Sequence, residues 1–305
     1  MTPLFRAPET VPTQLLDVAV EPEEARSILR PQRDERYGFG FSLSPYRGCS
    51  HGCRYCFVRE YPHALHGSGE WGRWTAPKLN APELLWSQRH RLHEQTVFLS
   101  TATDPYQPLE REYRLTRACL KVLLDCPTSR VVVHTRSALI LQDLELLKAF
   151  QGRLSVGVSI PTDDDTVRQQ VEPKAPPIPT RWGAVERLVR AGIAVNLAVT
   201  PLMAMTDPAG FARRARESGV SGLWVGSLRL LKEDPFYDVL ARQGWLKVLD
   251  PDYVDGVREL LEGALPAARR SLKRARSGRT PSAPCASPRH LGPQPTHPGL
   301  FEGSF

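Results

Sequence analysis

The sequence predicts an α/β fold, a partial (β/α)6 barrel of TIM type followed by a disordered basic C-terminal tail. Three observations carry this expectation: six short apolar runs, helical patterns alternating with them, and an abrupt change of composition near the C-terminus. The runs are Phe39–Ser44, Thr96–Thr101, Arg130–Thr135, Arg153–Ile160, Ile193–Thr200 and Val220–Ser227. They are rich in Val, Ile, Leu and Phe and have the length of strands buried on both faces. Helical patterns span Pro82–His93, Arg111–Leu124, Leu141–Phe150, Arg181–Ala191 and Pro208–Ser218, with a last stretch over Pro251–Leu272. Gly192 and Gly219 stand where two of these helices give way to the next strand. Repeated strand–helix units imply a parallel sheet with right-handed crossovers. Six units are too few to close an eight-stranded barrel, so the site is expected at the C-terminal strand ends of an open one.

The ends of the chain read differently. Residues 1–36 are polar and Pro-containing, an N-terminal leader wrapping the body; residues 37–266 hold the barrel domain. Residues 267–305 form a basic, Pro/Ser-rich tail whose composition does not offset the entropy of ordering. Of the net charge of +7, the tail carries six: seven basic residues stand there against Glu302 alone. The body is therefore close to neutral. A basic tail steers a protein toward nucleic acid, and a solvated helix end running into disorder is the plainer account of it. No run approaches the ~18 apolar residues that span a bilayer, and the first residues carry no secretory pattern. The expectation is a soluble cytoplasmic protein with no membrane partner.

Three of the six cysteines fall within eight positions, Cys49, Cys53 and Cys56. Such crowding in a chain of 305 residues points to a metal site in a reducing compartment rather than to a disulfide framework. The spacing is C-x3-C-x2-C, in a loop after the first strand, with Gly48 and Gly52 free to adopt positive φ. Thiolates suit iron–sulfur clusters and zinc. Three thiolates on a four-iron cubane leave one iron open, and the next cysteine, Cys119, lies inside a helical pattern. A zinc site completed by His51, His63 or His66 is the competing account, but zinc ribbons usually carry two C-x2-C pairs.

The segment Ser44-Pro45-Tyr46-Arg47-Gly48-Cys49-Ser50-His51-Gly52-Cys53-Arg54-Tyr55-Cys56 resembles the signature of the radical S-adenosylmethionine (radical SAM) superfamily. It looks like the branch containing spore photoproduct lyase and its uncharacterised photolyase-like relatives. Thr103 to Glu110, Thr135-Arg136-Ser137, Ser159-Ile160 and Glu172 to Pro176 continue the likeness, which runs from about Tyr37 to Leu231. The resemblance implies a [4Fe-4S] cluster on Cys49, Cys53 and Cys56 and S-adenosylmethionine on its open iron. It further implies reductive cleavage to a 5′-deoxyadenosyl radical that abstracts hydrogen from a substrate the sequence does not identify, a nucleic acid or its component being the candidate class. A reducing partner such as flavodoxin or ferredoxin follows from the same chemistry.

By position, the resemblance sets Tyr55 against the adenine, Thr103 and Asp104 at the methionyl amino group, and Arg136 near the carboxylate. Ser159 matches a position that contacts ribose or carboxylate, and Glu172 one at the ribose hydroxyls. Each has an ordinary alternative: Asp104-Pro105 initiates a turn, Arg136 pairs with Asp143, and Glu172 is a solvated loop residue. The aromatic stretch Glu60 to Trp74 reads either as a substrate cover or as packing over the barrel mouth. Two departures separate the chain from spore photoproduct lyase: no thiol stands in Ser100-Thr101-Ala102-Thr103, and Phe57 replaces the tyrosine after the third cluster cysteine. Thymine-dimer repair is not expected. A non-catalytic, metal-containing nucleic-acid-binding protein is the rival from another class. Deletion of residues 279–305 tests the tail: unchanged nucleic-acid affinity at low salt, measured by titration, removes it from the nucleic-acid account.

Overall fold

Alternate side chains of the apolar runs meet two environments, and this division builds the sheet. The computed structural model describes residue 5 and residues 13–15, 17–32, 38–60, 70–126, 130–230 and 232–265. Its strands are β1 (Gln14–Leu15), β2 (Val18–Val20), β3 (Leu29–Pro31), β4 (Phe41–Leu43), β5 (Tyr46–Gly48), β6 (Trp74–Pro77), β7 (Thr96–Leu99), β8 (Arg130–Thr135), β9 (Leu154–Ser159), β10 (Ala194–Val199) and β11 (Gly222–Val225). Its helices are α1 (Ala81–Gln88), α2 (Glu110–Tyr113), α3 (Leu115–Leu124), α4 (Leu144–Ala149), α5 (Asp165–Val171), α6 (Ile178–Arg190), α7 (Pro208–Glu217), α8 (Pro235–Arg242) and α9 (Pro251–Gly263).

The six expected runs supply β4, β7, β8, β9, β10 and β11, which lie side by side in chain order and pair in parallel. β3 adds an antiparallel edge on β4, and the sheet ends at β3 and β11. This is the partial barrel expected. Val97, Leu99, Val131, Val133, Val156, Val158, Val195, Leu197 and Val199 are each at most 2% exposed and share one core with helix residues such as Leu120, Trp182, Leu188 and Leu261. Burial of each such side chain contributes roughly 1.5–3 kcal/mol. The alternate positions Phe98, Val132, His134, Ser155, Gly157 and Asn196 face the other way and are only half-buried.

Four features depart from expectation. The leader does more than wrap the body: β1 and β2 join β6 and β5 in a second, four-stranded sheet, and β3 extends the first. The cysteine loop consequently follows β5, not β4 directly. The helix expected over Arg111–Leu124 divides at Arg114, which adopts φ 51° between α2 and α3. Helices α5 and α8 lie outside the expected patterns, being only seven and eight residues long. Each is started by a carboxylate cap, Asp164 accepting from the Thr166 amide at 2.7 Å and Asp234 from the Phe236 amide at 2.8 Å. The last helix is described to Gly263; the tail from residue 267 lies outside the described residues.

Gly48 and Gly52 do adopt positive φ, +72° and +59°. Gly72, beside β6, has φ +90°, and a Cβ there would lie 2.6 Å from the Gly52 Cα. The cysteine loop is thus backed by direct glycine-to-glycine backbone contact. Gly72→Ala is expected to lower the unfolding free energy by about 1–3 kcal/mol in urea titrations. Gly152→Ala, with φ +86° but open space around its Cβ position, should cost less.

Candidate active site

The site forms where the cysteine loop crosses the C-terminal ends of β7, β8 and β9. Hydrogen bonds pin the loop from below. The Thr103 hydroxyl donates to the Gly48 carbonyl, Gln107 Nε2 donates to Thr103 Oγ1 at 3.3 Å, and Gln107 Oε1 accepts from the Ser50 amide at 3.0 Å. The Tyr46 hydroxyl donates to buried Glu110, which also accepts the Thr116 and Arg117 amides at 3.0 Å. On the far side the Arg54 amide donates to the Val171 carbonyl at 2.9 Å.

The three thiols are free; Cys49 and Cys53 are buried and Cys56 half-buried. Burial, with the Asp104 carboxylate adding to it, pushes the Cys49 thiol up to about 12, and burial likewise raises Cys53 and Cys56. Ligation to metal therefore has to displace protons that this site otherwise holds firmly. Arg136, just beyond β8, donates through Nη1 to the Cys53 sulfur.

Asp104 is 6% exposed and accepts three hydrogen bonds: Thr135 Oγ1 at 2.6 Å, the Tyr106 amide at 2.9 Å and the Arg136 amide at 2.9 Å. Burial pushes its carboxyl up, but His51, Arg136 and Thr135 together hold it well below the usual carboxylate range. The Tyr106 bond is the turn that Asp-Pro signals, so the structural role of Asp104 is real. Its position at the strand ends, level with the thiol loop, is equally so.

Glu172 is 0% exposed and is not a solvated loop residue. It accepts the Tyr55 hydroxyl on one oxygen and the Arg181 guanidinium on the other, with Arg136 Nη1 at 3.7 Å. Arg181, also fully buried, donates to the Ser159 carbonyl at 3.0 Å and the Pro176 carbonyl at 2.8 Å. Asp143 does not pair with Arg136; it takes Arg117 and the Tyr106 hydroxyl instead. Gln107 and Arg181 were not singled out from sequence. Gln107 falls within the Thr103 to Glu110 stretch of the likeness, whereas nothing in the helical pattern distinguishes Arg181. Of the expected aromatic cover, residues 61–69 lie outside the described residues, and Trp74 is fully buried against Gly48 in β6.

Several polar atoms here have no hydrogen-bond partner among the described residues. Ser50 Oγ, both His51 ring nitrogens, Arg136 Nε and Ser159 Oγ are buried without a hydrogen bond, although His51 Nε2 stands 3.4 Å from Asp104 Oδ2. Such groups cost about 1–3 kcal/mol each when left unsatisfied. Their clustering around three thiols fits a bound polar cofactor on a sulfur-ligated cluster. Among the described residues, no three His, Cys, Asp or Glu converge as ligands of a single ion; a cubane takes each thiolate on a separate iron.

Residues 43–207 match the family model of the radical SAM superfamily. An uncharacterised protein of Methanocaldococcus jannaschii is 28% identical over 166 residues, 54% of this chain and 61% of that protein. An uncharacterised protein of Mycobacterium bovis is 29% identical over 255 residues, 78% of this chain and 72% of that one. The chain thus spans about three-fifths of the archaeal relative's length. Among solved structures, a spore photoproduct lyase variant with bound AdoMet and dinucleoside spore photoproduct is similar with a TM-score of 0.56 at 13% identity, covering 83% of this chain and 68% of that one. A radical S-adenosylmethionine methyltransferase from Kitasatospora setae gives 0.51 at 13% identity, covering 77% and 54%. At such identities the likeness concerns the fold.

Burial pushes the Glu172 carboxyl up, but Arg181, Arg136 and the Tyr55 hydroxyl outweigh it and hold it below 4.5. Its stabilisation is complete above that value and is lost as pH falls through the lower folded one. Glu172→Gln, which leaves Arg181 buried without its counter-charge, is expected to cost about 3–5 kcal/mol at neutral pH. In urea titrations the deficit should hold from neutral pH down to about pH 5 and shrink in more acidic buffer.

Proposed function

The chain belongs to the radical SAM superfamily, and we propose that it is a catalyst using Cys49, Cys53 and Cys56 to hold a [4Fe-4S] cluster that cleaves S-adenosylmethionine. Bound together, cluster and cofactor supply a 5′-deoxyadenosyl radical able to take hydrogen from an unactivated carbon; the protein supplies orientation and shelter. The observation that carries this reading is the convergence of three free thiols with unpartnered buried polar atoms at one end of a parallel sheet.

In this reading the residues divide the work. Arg136 neutralises charge beside the Cys53 thiolate and, through its unbonded Nε, has a donor left for the methionyl carboxylate. Asp104 gives negative charge on the side of the methionyl ammonium, although three of its acceptor positions are already in use. Ser159 offers a free hydroxyl to the cofactor from the end of β9. Thr103 and Glu172 act chiefly by holding the loop, through Gly48 and Tyr55 respectively, which shifts them from the direct contacts that sequence position suggests. Tyr55 presents its backbone to the adenine, since its hydroxyl is engaged with Glu172. A small redox protein such as flavodoxin or ferredoxin supplies the electron, and a nucleic acid or nucleotide is the substrate class put forward.

Anaerobic reconstitution tests the reading. The wild-type chain is expected to take about four irons and to release 5′-deoxyadenosine when reduced with S-adenosylmethionine. Cys53→Ala should lose both iron and brown colour. A chain that binds one zinc, or that holds a cluster yet releases no 5′-deoxyadenosine, overturns the proposal.

A further inference from the structure

The inner face of the sheet carries a second set of polar side chains, one row deeper than Arg136 and Ser159. Parallel register aligns His134, Gly157, Asn196 and Gly222 across β8, β9, β10 and β11. Ser100 follows Leu99, whose partner is Val133, and so lies level with His134. Ser100 Oγ and His134 Nε2 are buried without a hydrogen-bond partner. The Asn196 amide is half-buried on the same face. Nothing in the cysteine site uses these atoms.

The residue between the row's polar members is a glycine, Gly157. A Cβ at Gly157 would sit 3.1 Å from the His134 ring, so glycine there leaves the imidazole room to lie across β9. Phe98 supports the ring edge-on at 5.9 Å between centroids. His134 and Asn196 are two strands apart, roughly 10 Å between backbones, with no side chain between them. Trp224, level with Ala198 in the next row up, is 46% exposed on the edge strand.

The chemistry of the row excludes an anion as its direct partner. None of its aligned residues carries a formal charge, and burial, aided by Arg136, holds His134 down to about 4, leaving the imidazole neutral. An amide and a neutral imidazole each offer a donor and an acceptor, and an indole is a side chain on which bases stack. A phosphate or carboxylate would find no counter-charge within the row itself, and Arg136, one row up, is already engaged with Cys53 and lies 3.7 Å from Glu172. A flat, uncharged heterocycle with donors and acceptors on its edges would satisfy every group.

We propose that this row recognises the substrate, with His134 and Asn196 hydrogen-bonding the edges of a nucleobase and Trp224 covering its face. The inference rests on the radical SAM reading above and narrows its substrate class. The same chemistry would suit the adenine of S-adenosylmethionine. The row lies about 6–7 Å deeper than the Arg136–Ser159 level, so the assignment is to the substrate's base.

Equilibrium dialysis on the anaerobically reconstituted full-length chain separates the possibilities, using common nucleosides and short mixed-sequence single strands, each with S-adenosylmethionine present. The wild type should bind at least one base-containing probe, and Asn196→Ala and His134→Phe should each weaken it by about tenfold or more. Affinity for S-adenosylmethionine should change less than about twofold, with iron per chain unchanged. Should His134→Phe lose iron, the isosteric Asn196→Asp carries the same test. Absence of base binding by the wild type, stronger binding of a tryptophan-containing peptide, or a parallel loss of S-adenosylmethionine affinity each overturns the inference. Release of 5′-deoxyadenosine by the same wild-type preparation keeps that failure distinct, since its absence would instead remove the underlying reading.

Discussion

One buried carboxylate, Glu172, holds the site together. It joins Tyr55 from the cysteine loop, Arg181 from α6 and, at 3.7 Å, Arg136 from the end of β8. Arg181 in turn grips the carbonyl of Ser159 at the end of β9. Four separate chain segments therefore meet on one ion network with no solvent access to Glu172 or Arg181. Burying such charges is expensive unless every one is paired and hydrogen-bonded. The cost of breaking any member is what gives the loop a single position over the strand ends.

The sheet divides structural labour from chemical labour by parity. Side chains pointing outward from β7 to β10 are aliphatic and sealed against helices, and supply cohesion. Those pointing inward are mixed: Phe98, His134, Ser155, Gly157 and Asn196. An inward row needs no close packing when a ligand is to complete it, and this is where unsatisfied polar atoms accumulate. The second sheet, built by β1, β2, β6 and β5, serves a different end. It fixes Trp74 and Gly72 behind Gly48 and Gly52, so the loop is clamped between backbone on one side and the ion network on the other.

Much of this was legible before the fold was known. The six apolar runs correspond to the six parallel strands, because burial on both faces demands continuous apolar sequence. The cysteine spacing and its glycines marked the loop, since few other residues tolerate positive φ there. The caps of α5 and α8 were present as Asp164 and as Asp234-Pro235, yet helices of seven and eight residues make about two turns, too few for a clear apolar period. The leader's strands were hidden for a related reason: β1 and β2 are two and three residues long, below any usable period.

The sequence by itself determined the six parallel strands and the thiol loop among them, because hydrophobic run length and cysteine spacing are local properties of the chain. Only the tertiary structure decided how the charged residues are shared out. Arg136 turned from Asp143 to Cys53 and Glu172, Glu172 proved to be a buried hub, and Arg181 emerged as its principal counter-ion. Partners of charge depend on which distant segments burial brings within a few ångströms of one another, and no spacing along the chain encodes that.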